Sequence, residues 1–193
     1  MTVGKNLLIV FFIALASGAL AQIDPDPNGL GIYFDQGATV VSADLEVDEF
    51  ITGYLIATNC TETGFMMWWQ CGVCVDNGVL FGSVTNGHNY LGFMPFSECK
   101  GFICSGGPPI TGITILAEID FFATNPDPIN ITINGIEYDG DARLDGMFYT
   151  TTPDYSDSWT YFNPSSGSEE LPVATINGPV VNAGPIMRRV PVQ

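Results

Sequence analysis

Asn-Gly or Asp-Gly pairs recur seven times along this chain, with first residues at 28, 77, 86, 134, 139, 145 and 177. Both members of such a pair tolerate positive φ, which tight hairpin turns demand. A chain that can reverse this often favours many short strands. The segments between the pairs agree. Ile129-Asn130-Ile131-Thr132-Ile133 alternates apolar and polar residues strictly, the signature of a half-buried strand. Ile113, Ile115, Ala117, Ile119 and Phe121 form one face of another, opposed by Thr114, Glu118 and Asp120 and interrupted by Leu116. Leu55 to Thr58, Phe65 to Val75, Val79 to Val84, Met147 to Thr152 and Val173 to Ile176 read as further strands. Pro stands in most connections, as at Pro108-Pro109 and Asn125-Pro126-Asp127-Pro128. No segment after the first 21 residues sustains a helical period of three turns. The expected fold class is all-β, a two-sheet β-sandwich or jelly roll.

The first 21 residues have the physics of a signal peptide. Lys5 supplies the positive charge, Leu7 to Leu15 an apolar run, and Ala19-Leu20-Ala21 small residues at the cleavage spacing. The run is shorter than the ~20 residues that span a bilayer. Gln22 is then the first residue of a mature chain bound for the cell envelope or the extracellular space. Residues 22–37 form an N-terminal segment with a possible first strand, 38–181 the sandwich, and 182–193 a flexible tail. The formal net charge is −16, and all 21 Asp and Glu lie beyond residue 21. Only Lys100, Arg143, Arg188 and Arg189 oppose them there. Such a balance repels nucleic acid and anionic lipid and suits cations.

Five cysteines, at 60, 71, 74, 99 and 104, fall in one window. In an exported chain they read first as disulfides, and an odd count leaves at least one thiol over or pairing between chains. A short loop closed by Cys99 and Cys104, with Cys60 joined to Cys71 or Cys74, is the expected pairing. Cys71 and Cys74 are three apart, so a strand points them to opposite faces. A Cys₄ zinc site from Cys71, Cys74, Cys99 and Cys104 is the alternative that an oxidising compartment disfavours.

Two acidic groups invite calcium. Asp24, Asp26, Asn28, Gly29 and Asp35 fall at positions 1, 3, 5, 6 and 12 of a calcium-loop spacing. Pro25 and Pro27 stiffen that stretch, and no helices flank it. Asp139, Asp141 and Asp145 surround two Asp-Gly turns and are the candidate Ca²⁺ ligands, with ordinary turn capping as the alternative. Catalysis finds little support. His88 is the single histidine and sits in a turn, and no Gly-x-Ser-x-Gly elbow exists. Glu118 and Asp120 share a strand face, where like charges are ordinarily just solvated. Aromatic residues are the better functional signal. Trp68 and Trp69, preceded by Met66 and Met67, alternate across a strand. Tyr155, Trp159 and Tyr161, with Tyr149 and Phe162, gather near a Ser/Asp-rich loop. Trp68, Trp69, Tyr155, Trp159 and Tyr161 are the candidate ligand contacts. Asn59-Cys60-Thr61 and Asn130-Ile131-Thr132 match the N-glycosylation pattern.

The layout resembles the cohesin-like family of bacterial β-sandwiches. Thr52-Gly53-Tyr54-Leu55 to Asn59 looks like its early strand, and Gly64-Phe65-Met66-Met67-Trp68-Trp69-Gln70 like the next. Asp76-Asn77-Gly78-Val79-Leu80 looks like the following turn and apolar pair. Thr111 to Phe122 and Pro172 to Gly178 look like late strands, so the resemblance spans residues 38–181. It implies a nine-stranded jelly-roll sandwich with a role in adhesion, scaffolding or carbohydrate contact. The cysteine window and the Met/Trp strand depart from the family pattern, and no dockerin-binding residue transfers. The expected protein is a non-catalytic surface module that binds protein or carbohydrate. A self-assembling structural subunit and a secreted polysaccharide hydrolase are the alternatives.

Overall fold

The structure, a computed structural model, describes residues 24–85, 89–90, 99–137, 145–153, 159–179 and 189–191. Among the described residues, fourteen strands run in chain order. The first seven are β1 (Gly29–Tyr33), β2 (Ser42–Asp44), β3 (Phe50–Thr58), β4 (Trp68–Val75), β5 (Val79–Thr85), β6 (Asn89–Tyr90) and β7 (Cys99–Ser105). The rest are β8 (Ile113–Phe122), β9 (Ile129–Asn134), β10 (Phe148–Thr150), β11 (Thr160–Tyr161), β12 (Asn163–Pro164), β13 (Ala174–Ile176) and β14 (Arg189–Pro191). No helix among the described residues is long and apolar enough to cross a membrane.

Two sheets enclose the core. The smaller runs β12-β1-β3-β8-β5. The larger runs β11-β10-β4-β9-β13-β2-β14, with β7 on the other side of β4 and β6 beyond it. Between them lie Leu30, Ile32, Leu55, Leu116, Ile119 and Phe121 from one sheet. Trp69, Cys71, Val73, Phe102, Ile131, Ile133 and Tyr149 meet them from the other. The turn chemistry works as expected at three of the five described pairs: Asn28, Asn77 and Asn177 take positive φ immediately before their glycines, whereas Asn134 ends strand β9 and, at the pair starting with Asp145, only Gly146 takes it. The pairs at 86 and 139 lie outside the described residues, as does His88.

β9 keeps its alternation, with Ile129, Ile131 and Ile133 buried and the residues between them half-buried. β8 does not. Thr114 and Leu116 are buried on its first half, then Ala117, Ile119 and Phe121 on its second, while Ile113 and Ile115 are only half-buried. The cause is a bulge: Leu55 pairs with Ala117 and Ile56 with Ile115, so Leu116 is the extra residue that flips the pleat. Nine strands were expected, and fourteen segments form among the described residues. One source of the excess is β4's edge. Residues 72–75 of β4 pair with β9, and residues 68–70 pair with β10 in the same sense. β9 and β10 thus share one line beside β4, broken by an excursion over 135–147. That excursion is pinched at its base by reciprocal hydrogen bonds between Ile136 and Gly146, at 3.1 and 2.8 Å.

The cysteine pairing differs from the expected one. Residues 99–105 are not a loop but strand β7, lying along β4. Cys99 and Cys104, five residues apart on a strand, face opposite ways and stand about 17 Å apart at the usual rise. Cys99 instead lies directly across from Cys74, and the two form a disulfide with a Cα–Cα distance of 4.0 Å. Cys71 points inward and is fully buried, as is Cys104. Cys60 follows β3 and meets the Tyr149 hydroxyl rather than β4. A Cys₄ zinc site from Cys71, Cys74, Cys99 and Cys104 is excluded, because Cys71 and Cys104 point into the core while Cys74 and Cys99 are bonded to each other on the other face.

Candidate functional site: an aromatic ledge on the larger sheet

β4 sets the geometry. Its pleat sends Trp69, Cys71, Val73 and Val75 into the core and turns Trp68, Gln70, Gly72 and Cys74 outward. Trp69 is therefore not a contact residue: it is 0% exposed and stacks on Phe102 at 6.1 Å. The alternation expected from Met66 onward fails because the strand begins only at Trp68. Before it, the backbone bonds irregularly, Met66 N–H to Pro108 O and Met67 N–H to Thr150 O. Met66 is buried as a result, while Met67 and Phe65 are exposed.

Beside β4, β10 turns Tyr149 inward and Phe148 outward, opposite Gln70. Phe148 is nonetheless 0% exposed. Two rings cover it: Trp159, edge-on at 4.3 Å, and Tyr161, edge-on at 6.3 Å. Edge-to-face aromatic pairs of this kind contribute about 0.5–1.5 kcal/mol beyond area burial. Trp159 is half-buried, whereas Tyr161 is 59% exposed. The Gln70 amide donates to Gly146 O at 3.0 Å, which fixes the foot of the excursion next to this cluster. Gly146 has φ 111° and comes to 3.4 Å of the Tyr161 ring at the position of a Cβ, so a side chain there is strained. Trp68, Phe148, Trp159 and Tyr161 thus share one outer surface, with Tyr161 as its most open ring. Phe148 was not among the sequence candidates. Its position opposite Gln70 was the missing signal, and that register is not local in sequence.

The remaining candidates separate from this surface. Tyr155, Asp139 and Asp141 lie outside the described residues. Asp145 stands half-buried at the foot of the excursion. Among the described residues no group of three or more His, Cys, Asp or Glu is placed to hold a metal ion. The calcium-loop spacing of residues 24–35 is not a loop, because β1 occupies 29–33 and carries its two ends apart. Asn28 Oδ1 accepts from Thr61 N–H and the Tyr149 hydroxyl, both at 2.8 Å. Asp35 accepts from the Thr39 and Val40 N–H groups, both at 2.8 Å, and so caps its own turn. Asp120 accepts from the Thr52 hydroxyl at 2.7 Å, and Glu118 faces solvent.

These features define a disulfide-bonded β-sandwich whose outer sheet face carries an aromatic ledge. Solved structures with the same fold include cohesin domains. The sixth cohesin of scaffoldin B from Acetivibrio cellulolyticus, solved in complex with a Cel5 dockerin mutant, aligns with a TM-score of 0.53 and 8% identity over 79% of this chain and 99% of that one. A type II cohesin domain from the cellulosome of the same organism gives 0.51 and 12%, covering 82% and 98%. CaCohA2 from Clostridium acetobutylicum gives 0.50 and 10%, covering 83% and 94%. No protein-family model matches the chain, and no curated protein matches it in sequence. The similarity is one of fold, in agreement with the resemblance read from residues 38–181.

Proposed function

We propose that this chain is a non-catalytic module, exported by residues 1–21, that docks a protein partner on the outer face of its larger sheet. The observation that carries this reading is the exposed Tyr161 ring, backed by Trp159 and the sealed Phe148. A rigid aromatic anchor over a packed base is what protein interfaces use as a hot spot. The cohesin solved with a dockerin supports a protein rather than a small-molecule ligand for this fold. The Cys74–Cys99 bridge supports an oxidising compartment.

Calorimetric titration of the protein with a panel of purified dockerin modules tests the proposal. At least one should bind at micromolar Kd or tighter. Tyr161→Ala should weaken that binding tenfold or more, about 1.4 kcal/mol or above, with the circular dichroism spectrum unchanged. If no dockerin binds while soluble polysaccharides do, the ledge serves sugar and the protein-docking reading is wrong.

A further inference from the structure

Away from the ledge, the outer face of the smaller sheet hides a polar cradle. Residues 24–28 cross that face at the start of β1. Hydrogen bonds from the Asn59 side chain to Asp24 O, 2.6 Å, and from the Asn163 side chain to Pro27 O, 2.8 Å, tie them down. Asn28 N–H adds a bond to Asn59 O at 3.0 Å. Beneath this strap β1 carries Gly29, without a side chain where Asp24 presses closest, and then Gly31, over which Ser165 and the Tyr33 ring lie. Asp24 Oδ2 and Thr58 Oγ1 each stand 2.5 Å from the point a Gly29 Cβ would occupy. The two oxygens therefore flank the same point above Gly29.

Both oxygens are orphans. Asp24 is 7% exposed and Thr58 0%, and neither Asp24 Oδ2 nor Thr58 Oγ1 has a hydrogen-bond partner. The Ser165 hydroxyl, 8% exposed and also without a hydrogen bond of normal geometry, sits over Gly31 and faces the Tyr33 phenol. The other Asp24 oxygen accepts from Asp26 N–H at 3.0 Å. The neighbouring charge felt by Asp24 is that of Asp26, of the same sign. Among the described residues no countercharge acts on Asp24, and a carboxylate withdrawn from water without one is costly, so proteins neutralise it or pair it.

We propose that this cradle binds a single monovalent hard cation of sodium size, held by the Asp24 carboxylate and the Thr58 hydroxyl, with the Ser165 and Tyr33 hydroxyls beside them. All the donors are oxygen, which excludes a soft metal. One carboxylate balances one positive charge. Calcium takes six to eight oxygens, commonly from several carboxylates, and no acidic cluster of that kind converges here among the described residues. Bound there, the ion neutralises Asp24 and fastens the strap to β1 and β3. The cradle is independent of the aromatic ledge, so failure of either proposal leaves the other standing.

Thermal unfolding of the protein at neutral pH, in sodium chloride against choline chloride at equal ionic strength, reads the site. Sodium should raise Tm saturably, by about 3–6 °C at concentrations well above Kd. Asp24→Asn and Thr58→Val should each abolish the difference. Thr58→Val keeps the shape of its side chain and serves if the Asp24 variant does not fold. Equal melting in the two salts would mean that water or a proton fills the cradle, and would overturn the proposal. So would a sodium response that survives both substitutions, or one given by calcium chloride and not by sodium chloride.

Discussion

At the scale of single residues, burial decides the chemistry. The Cys60 thiol is pushed up to about 11 by burial, although its contact with the Tyr149 hydroxyl acts the other way. Burial raises Cys71 further, and the nearby Cys104 adds to that. Native protein at pH 8 should therefore react with a thiol reagent slowly and at Cys60 alone. Unfolding without reductant should release three thiols in all. Mass spectrometry of the alkylated chain checks this, and rapid labelling of Cys71 in the native state would contradict the core described above. Asp24 makes a second case. Desolvation raises its carboxyl pKa above the ordinary 3.8, against the lowering effect of the Asp26 N–H. The folded state then holds that proton more tightly than the unfolded chain does. Its contribution to stability is fully present below the unfolded pKa and is lost as pH climbs from about 4 through the folded value. In choline chloride, the melting temperature of Asp24→Asn should fall less than that of the unaltered protein as pH rises through that window. Parallel pH profiles would show that the carboxyl does not feel its burial.

Strand pairing governs the next scale. Cys74 and Cys99 close a stretch of chain with a sequence separation of 25 and cross-link β4 to β7 at one end of their ladder. Loop-closure entropy puts the stabilisation at about 3.5 kcal/mol. Replacing both by serine should lower the unfolding free energy by roughly that amount in a urea titration and raise the m-value, because the unfolded chain is freed to expand. A loss below about 1 kcal/mol would mean that the ladder alone constrains these strands. The same ladder shows why the pairing could not be read from the sequence. Residues 99–105, with their glycine, lysine and serine, lack the periodicity of Ile129–Ile133, so β7 looked like a loop. Partner and register are non-local facts. Trp68 and Trp69 depend on a similar detail. Which of the two enters the core follows from where β4 begins, and the irregular backbone at Met66 and Met67 hides that start.

For the molecule as a whole, the sandwich was legible because its signals are local and repeated: Asn-Gly turns, alternating isoleucines and proline in the connections. The candidate site was legible only in part. Trp68, Trp159 and Tyr161 carry their chemistry in their names, but Phe148, which supports them, gives no sign in sequence that it faces outward. The Asp24 cradle was legible as an acidic residue and misleading as a spacing, because β1 separates the acidic residues that the spacing had joined. The single line that β9 and β10 share beside β4 has a further consequence. Both ends of the excursion are anchored to the same neighbour, so its length and composition are released from the demands of the sheet. The register of the two strands on β4 is set where they touch it, at residues 72–75 and 68–70, and owes nothing to what joins them.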